Sequence, residues 1–224
     1  MAKVPFWIKW LARLAGNKTN PVLPESPEPG TWYRVPMPEL MASDGSAYGF
    51  DVRFGTENKT ILFFHGGGMS WDEHMAAHPT TLGGELDNMY YTPTAGCYSG
   101  NLGLFSRKES NPFRNWNVIS LPYCTGDFHC GTADFPYEDE NGAQQILRHH
   151  GYTNTMAALG KAITLLPQPK KLLICGNSAG AFAAAFLTQS ILPLFPACKD
   201  VTVYCDSAMC IQDDWARILR DVWK

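Results

Sequence analysis

The sequence contains no uninterrupted apolar run of about 18 residues, the length that a transmembrane helix requires. It also lacks an excess of basic residues, since the net charge is −3 at pH 7 and only 17% of residues are charged. The sequence therefore predicts neither a transmembrane helix nor a surface that attracts nucleic acid. Its 224 residues, of which 45% are hydrophobic, are enough for one globular domain with a substantial core.

The seven cysteines are an odd number and do not form a closed set of disulfides by themselves. Cys124, Cys175 and Cys205 lie in or at the end of apolar runs, which predicts three buried strand residues. Cys97 and Cys130 lie in glycine-rich loops, where they could form a bridge. The cysteines leave the redox compartment open, and the absence of a clear signal peptide slightly favours the cytoplasm.

The first 30 residues differ in composition from the rest. Residues 4–16 are amphipathic, and one helical face would carry Trp7, Trp10, Leu11 and Leu14. We expect this helix to pack on the domain, with a position on a membrane surface as the alternative. Residues 20–30 contain four prolines and predict an extended linker. Residues 1–30 are thus an amphipathic helix and linker, and residues 31–224 are the folded domain.

Short apolar runs alternate with helical patterns along the domain, which predicts an α/β fold with a mostly parallel sheet and helices on both faces. The predicted strands cover residues 31–35, 47–54, 60–64, 117–124, 172–175 and 201–205. The predicted helices cover residues 153–166 and 179–192, and a last one begins within 213–223. Residues 69–112 form a long polar, glycine-rich insertion, which we expect to wall a substrate site.

The segment Leu172–Ala181 contains Gly-x-Ser-x-Gly between an apolar strand and a helical stretch rich in Ala and Phe. This order is typical of a nucleophile elbow, a sharp turn that exposes a serine hydroxyl above the sheet. Ser178 is the candidate nucleophile. The alternative is a serine in an ordinary glycine-rich turn.

A second glycine-rich motif, His65-Gly66-Gly67-Gly68, follows the apolar strand at residues 60–64. In serine hydrolases the loop after such a strand supplies backbone N–H groups that bind the developing oxyanion. A tight glycine turn is the alternative, and a phosphate-binding loop is disfavoured because no Gly-Lys-Ser/Thr follows. The two motifs together support an ester hydrolase more strongly than either alone.

The loop at residues 125–131 follows the next strand and should line the same cleft. Asp127 and His129 are therefore candidates for contact with substrate, although hydrogen bonds that stabilise the loop are the favoured alternative. His74 and His78 have the i, i+4 spacing of metal ligands but lack the Glu of a His-Glu-x-x-His helix. No metal and no organic cofactor is predicted.

Three blocks resemble the pectin acetylesterase/Notum family: Asn111–Asn117, Pro122–Asp127 and Gly176–Gly180. The resemblance spans about residues 55–210 and implies an α/β-hydrolase-fold serine carboxylesterase, acting on acetylated pectin or on a lipid ester on a protein. It further implies Ser178 as nucleophile and the backbone N–H groups of Gly67, Gly68 and Ala179 as the oxyanion hole. The family usually has Glu-Gly-Gly-Trp where this chain has His65–Gly68, which removes an aromatic wall of the pocket.

No histidine follows Ser178, although the triad of this fold runs Ser, Asp, His along the chain. We therefore expect the last strands of the sheet, with the triad Asp and His, to lie in a C-terminal remainder or a partner chain. The alternatives are an inactive member that only binds, or His129 as an unusual base with Asp206 as acid. The predicted function is hydrolysis of an acetyl ester on a carbohydrate such as pectin, with a lipid-ester hydrolase or a non-catalytic binding module as alternatives.

Overall fold

Eight strands form in the computed structural model, which describes residues 20–77 and 102–224. They are β1 (Trp32–Met41), β2 (Ala47–Arg53), β3 (Lys59–Phe64), β4 (Asn117–Leu121), β5 (Ala133–Glu138), β6 (Gln144–His149), β7 (Lys171–Asn177) and β8 (Asp200–Asp206). Six of them make the main sheet in the order β1-β2-β4-β3-β7-β8, and β5 pairs with β6 in a separate hairpin. Strands β4, β3, β7 and β8 are mutually parallel, whereas β1 and β2 are antiparallel to their neighbours. The predicted α/β fold with a mostly parallel sheet is confirmed.

Within residues 20–77 and 102–224, five short or medium α-helices accompany the strands. They are α1 (Glu73–Ala77), α2 (Gly151–Leu165), α3 (Ala179–Phe186), α4 (Thr188–Ile191) and α5 (Trp215–Arg217). Gly103–Phe105 and Leu192–Leu194 form 3-10 turns, and Ile218–Trp223 forms a π-helical segment. None of the helices within these described residues is both long enough and apolar enough to cross a membrane.

The two faces of the sheet are covered differently. On one face, α2 and α3 bury small and branched residues such as Leu159 and Ala183 against Leu62 and Ile174. Alternation along the strands sends Ile61, Leu173 and their neighbours to the other face. Within the described ranges, that second face is covered by the segment 102–116, which inserts Phe105, and no α-helix packs there.

Several predicted boundaries shift for identifiable reasons. Strand β4 ends at Leu121 because the next residue, Pro122, has no N–H to continue the ladder. The predicted helix at residues 179–192 is divided into α3 and α4, and Pro193 lies inside the 3-10 turn that follows. The β5–β6 hairpin was not predicted from the sequence, because Pro136 and a run of acidic residues interrupt its apolar alternation.

The prediction that Cys205 is buried is wrong, whereas Cys124 and Cys175 are buried as predicted. Cys205 lies in β8, which is the edge strand of the sheet and exposes six of its seven residues. Cys130 is a free thiol, and its predicted partner Cys97 lies outside the described residues. The predicted N-terminal helix and residues 78–101 of the insertion also lie outside them.

Candidate functional site

The carboxyl ends of the four parallel strands meet at one edge of the sheet, and each candidate residue lies in a segment that follows one of them. The glycine loop at residues 65–68 follows β3, and the loop at residues 125–131 comes after β4. Ser178 comes directly after β7, and Ser207 comes directly after β8. In open parallel sheets ligands bind in the crevice beyond these carboxyl ends, so this edge is the candidate site.

Ser178 forms the whole turn between β7 and α3. Its backbone has φ 52° and ψ −122°, a conformation that is rare for a residue with a Cβ. Its N–H donates a 2.9 Å hydrogen bond to the carbonyl oxygen of Asp206, and its side chain is exposed. The strained turn therefore holds a serine hydroxyl outside the sheet, at the amino end of a helix.

Close backbone approach explains the two glycines that flank Ser178. A Cβ on Gly176 would overlap the carbonyl of Gly180, and a Cβ on Gly180 would overlap the carbonyl of Phe64 at the end of β3. Only hydrogen fits at both positions, which allows α3 to begin directly against the strand ends. This packing positions Ser178 beside the loop that leaves β3.

The glycine loop lies against the Ser178 turn. A Cβ on Gly66 would come within 2.8 Å of Ser178 Cβ, and the Gly66 N–H donates a 3.3 Å hydrogen bond to Asn177 Oδ1. Among residues 20–77 and 102–224, no acceptor is hydrogen-bonded to the N–H of Gly67, Gly68 or Ala179. The geometry leaves these three donors available beside an exposed hydroxyl.

His65 opens the glycine loop, and its side chain contacts residues of β3 and β4. Its Nε2 lies 2.7 Å from the Ser120 hydroxyl on β4, and its ring packs edge-on against Phe63. Burial, followed by the nearby His129, lowers the pKa of His65 to about 3. The ring is therefore neutral near pH 7 and connects the loop to the end of β4.

Asp127 is fully buried and accepts several hydrogen bonds from the protein itself. Its two carboxylate oxygens accept the N–H groups of His129 at 3.0 Å, Gly131 at 3.0 Å and Gly151 at 2.8 Å, together with the Thr125 hydroxyl. Gly151 is the first residue of α2, so the carboxylate also caps that helix. These bonds join the loop after β4 to the amino end of α2.

His129 lies beneath the glycine loop and is 1% exposed. Its Nε2 donates a 2.9 Å hydrogen bond to the carbonyl oxygen of His65, and its ring packs against Phe64 and Tyr123. Burial lowers the pKa of His129, although the hydrogen bond to the His65 carbonyl and the charge of Asp127 act in the opposite direction. Asp127 and His129 are both buried from solvent. Their contacts are those expected if the two residues stabilise the loop, which is the alternative to contact with substrate.

No histidine in the described ranges forms a hydrogen bond with Ser178. His149 Nδ1 donates to the Thr125 carbonyl oxygen, and His150 Nε2 forms an exposed hydrogen bond with Asp134. His74 is on the exposed side of α1, and His78 lies outside the described residues. The described residues also contain no group of three His, Cys, Asp or Glu side chains that could hold a metal ion.

An aromatic cluster beside the site was not predicted from the sequence. Phe128 stacks on Phe182 of α3 with 4.5 Å between ring centroids, and Trp215 and Trp223 from the C-terminal segment pack against Phe128 at 6.1 Å and 5.1 Å. The Trp223 indole donates a 2.8 Å hydrogen bond to the Ser70 carbonyl oxygen. These residues are separated by up to 153 positions, and no local pattern connects them.

A family model described as pectinacetylesterase matches residues 39–216, which is most of the chain. Two crystal structures of the Wnt deacylase Notum from Drosophila, crystal forms I and II, have TM-scores of 0.52 and 0.53 to this structure. Each is 20% identical in sequence and covers 76% of this chain, and at that identity the likeness shows the fold alone. The chain spans about half the length of these Notum chains, at 49% and 50%.

Proposed function

The chain belongs to the pectinacetylesterase family, and we propose that it contributes the nucleophile and oxyanion hole of a serine carboxylesterase. The observation that carries this proposal is the exposed Ser178 hydroxyl in a strained turn after β7, directly beside the glycine loop. A serine presented in this way is typical of a nucleophile elbow.

In the proposed reaction the Ser178 oxygen attacks the carbonyl carbon of an ester. The developing oxyanion accepts hydrogen bonds from the N–H groups of Gly67, Gly68 and Ala179, which are fixed before the reaction begins. The alcohol leaves with a proton and an acyl-serine remains, which water then hydrolyses to release the acid and restore the hydroxyl. The reaction requires no metal and no organic cofactor.

The proposed mechanism also needs a general base, because a serine hydroxyl is a weak nucleophile at its ordinary pKa. His129 is a poor candidate, since it is buried and its Nε2 donates to the His65 carbonyl oxygen. We propose that the triad His and Asp are carried by polypeptide outside these 224 residues, as a C-terminal remainder or a partner chain.

The exposed edge of the sheet supports this second proposal. β8 is the last strand of the parallel part of the sheet, and its Val203 and Tyr204 are 41% and 59% exposed. Parallel strands are usually buried on both faces and covered at their edges. A further parallel strand beside β8 would end next to Asp206, and thus close to Ser178.

The proposed substrate is a small acyl ester, such as an acetyl group on a polysaccharide. This follows the family description, since the named activity of pectinacetylesterases is on acetylated pectin. Notum from Drosophila is a Wnt deacylase, and its similar fold makes a longer acyl group on a lipidated molecule the alternative. The depth of the pocket beside Ser178 distinguishes the two.

A non-catalytic binding module is the second candidate function. The specific observation in its favour is that no histidine in the described residues is hydrogen-bonded to Ser178. Under this interpretation the turn and the glycine loop have only a structural role, and the cleft binds an ester without cleaving it.

Covalent labelling with a fluorophosphonate probe tests the proposal. The chain is incubated with the probe, and the peptide that contains Ser178 is analysed by mass spectrometry. Ser178→Ala should abolish labelling, whereas Ser207→Ala, which changes the exposed serine next along the same edge, should leave it unchanged. Circular dichroism must show that each variant is folded.

Each outcome separates the proposals. Labelling at Ser178 only when a longer or co-purifying polypeptide is present supports both the esterase and the external base. Labelling of the 224-residue chain alone, confirmed by intact mass, supports the esterase but contradicts the external base. A folded chain that is never labelled, alone or in a longer protein, contradicts the esterase and favours the binding module.

A further inference from the structure

The peptide unit between His65 and Gly66 is held at both ends by side chains. Its carbonyl oxygen accepts a 2.9 Å hydrogen bond from His129 Nε2, and its N–H group donates a 3.3 Å hydrogen bond to Asn177 Oδ1. His129 lies in the segment after β4 and Asn177 is the last residue of β7, and these two strands flank β3 in the sheet. Because a peptide unit is planar, the two bonds fix its orientation at the entrance to the glycine loop.

The same loop is fixed again further along the chain. A Cβ on Gly67 would come within 2.4 Å of the Tyr123 ring, so the backbone lies directly against that ring. The Ser70 N–H then donates a 2.7 Å hydrogen bond to the Gly126 carbonyl oxygen. The N–H groups of Gly67 and Gly68, which have no acceptor among the described residues, lie between these fixed points. Their orientation therefore depends on the contacts at both ends of the loop.

The backbone at Phe128 and His129 is strained, and this turn brings the His129 ring under the loop. The two residues have φ 54° and φ 61°, left-handed values that are uncommon for residues with a Cβ. The Tyr123 hydroxyl accepts the Phe128 N–H at 3.0 Å, and Asp127 accepts the His129 N–H at 3.0 Å. Strain of this kind persists only where the surrounding structure enforces it, and it is concentrated at functional sites. The strain therefore points to a role for His129 beyond filling space.

His129 is a fixed hydrogen-bond donor inside the protein. A carbonyl oxygen can only accept, so Nε2 carries the proton of the imidazole. Burial lowers the pKa of His129, which keeps the ring neutral near pH 7. The side chain is buried and does not reach a substrate above the loop. Any influence of His129 on the reaction must therefore pass through the His65 carbonyl oxygen.

We propose that His129 is a positioning residue for the oxyanion hole, because it holds the peptide unit that precedes the donors Gly67 and Gly68. This role rests on the proposed function, since the two N–H groups stabilise an oxyanion only if Ser178 attacks an ester. Donors that are oriented before the reaction need no reorganisation, and removal of one such donor lowers the rate by about 10²–10³-fold. Without His129 the donors remain but lose their fixed orientation, so we expect a smaller loss of roughly 10–100-fold.

The kinetics of fluorophosphonate labelling at Ser178 test this role, in the 224-residue chain or in a longer protein if only that is labelled. In His129→Leu the maximal rate constant should fall roughly 10–100-fold, while the probe concentration at half-maximal rate changes less than about threefold. His129→Gln, whose amide N–H can reach the same carbonyl oxygen, should recover most of the lost rate. Leu159→Ala, which removes core packing under α2, should lower Tm without changing the rate constant.

The fraction of protein that is labelled at completion separates misplaced donors from partial unfolding, since unfolding lowers that fraction and not the rate constant. If His129→Leu does not fold, His129→Asn takes its place, because its shorter amide cannot reach the carbonyl oxygen. An unchanged rate constant in the folded variant would overturn the positioning role and leave the esterase proposal intact.

The role would also be overturned if a folded His129→Gln is as slow as the variant without a donor, or if Leu159→Ala slows labelling equally. If no His129 variant folds, its role is structural and the proposal is again overturned. An unsubstituted protein that is folded and never labelled would instead contradict the proposed function, and the positioning role would fall with it.

Discussion

The N–H of Ser178 donates a 2.9 Å hydrogen bond to the carbonyl oxygen of Asp206, which ties the turn after β7 to the last residue of β8. The two strands are paired up to this point, with Asn177 opposite Asp206. The residues that follow them, Ser178 and Ser207, both have left-handed backbones with φ 52° and φ 57°. The orientation of the Ser178 turn therefore depends on β8 keeping its place at the edge of the sheet.

A methyl group at Gly180 should disrupt the start of α3. In Gly180→Ala the new Cβ overlaps the Phe64 carbonyl and approaches the His65 carbonyl oxygen to 2.8 Å. We expect a loss of about 2 kcal/mol or more in the free energy of unfolding, measured by urea denaturation. Gly160→Ala is the control, since its Cβ meets nothing within 4 Å in the middle of α2 and should stabilise by about 0.5–1 kcal/mol. Similar losses in both variants would contradict the close-packing explanation.

Asp127→Asn should be strongly destabilising. The new amide would direct a donor towards the N–H groups that the buried carboxylate now accepts, chiefly those of Gly131 and Gly151. We expect a loss of about 2–4 kcal/mol in the free energy of unfolding. Asp139→Asn is a matched control, because Asp139 also accepts backbone N–H groups but lies in an exposed hairpin turn, where water replaces lost bonds. A loss at Asp127 no larger than that at Asp139 would contradict the proposed anchoring role.

Stability should fall as the pH decreases below the ordinary pKa of histidine. Burial lowers the pKa of His65 to about 3 and also lowers those of His129 and His149. The unfolded chain therefore binds more protons than the folded one, so the stabilisation is present above about pH 6.5 and is lost as the pH falls towards the lowered values. His65 should contribute about 1–2 kcal/mol of this loss between about pH 7 and pH 5, and His129 and His149 should act in the same direction.

Variants at His65 and His74 test the source of this pH dependence. His65→Gln keeps a polar group for the Ser120 hydroxyl but does not titrate, so its unfolding free energy should depend on pH less steeply, by up to one proton. His74→Gln, which changes a histidine on the exposed side of α1, is measured beside it so that the loss of one histidine at another position can be compared. Urea titrations across the pH range measure both slopes. Equal slopes in the His65 variant and the unsubstituted chain would contradict the assignment.

The exposed β8 edge should make the isolated chain self-associate. β8 pairs with β7 on one side, and its outer edge has no partner strand among the described residues. With Val203 and Tyr204 exposed, this edge offers both hydrogen-bonding groups and apolar surface to another chain. Val203→Lys should reduce the concentration-dependent mass measured by light scattering, because a charged edge disfavours pairing. Leu219→Lys changes an apolar residue of similar exposure, 46% against 41%, that is not in the sheet, and should have little effect. A monomeric unsubstituted chain at high concentration would contradict this prediction.

Local patterns were sufficient for the fold class and for the position of the serine turn. The apolar strand before Gly176 and the Ala-rich stretch after Ser178 each have a hydrophobic pattern that is visible within a short stretch of sequence. The hairpin formed by β5 and β6 was missed because its apolar residues do not alternate cleanly. The exposure of Cys205 was also missed, since an apolar run in a central strand looks the same as one in an edge strand.

The sequence by itself determined the α/β class, the glycine loop after β3 and the turn at Ser178, because each depends on residues that are close together in the chain. Only the tertiary structure decided which groups meet across long separations. It directed His129 to the His65 carbonyl oxygen, Asp127 to the amino end of α2, and Trp223 to Ser70. It also buried Arg53 with its Nη1 donating to the Phe105 carbonyl oxygen. Such contacts depend on strand order and on the packing of distant segments, and no local periodicity encodes them.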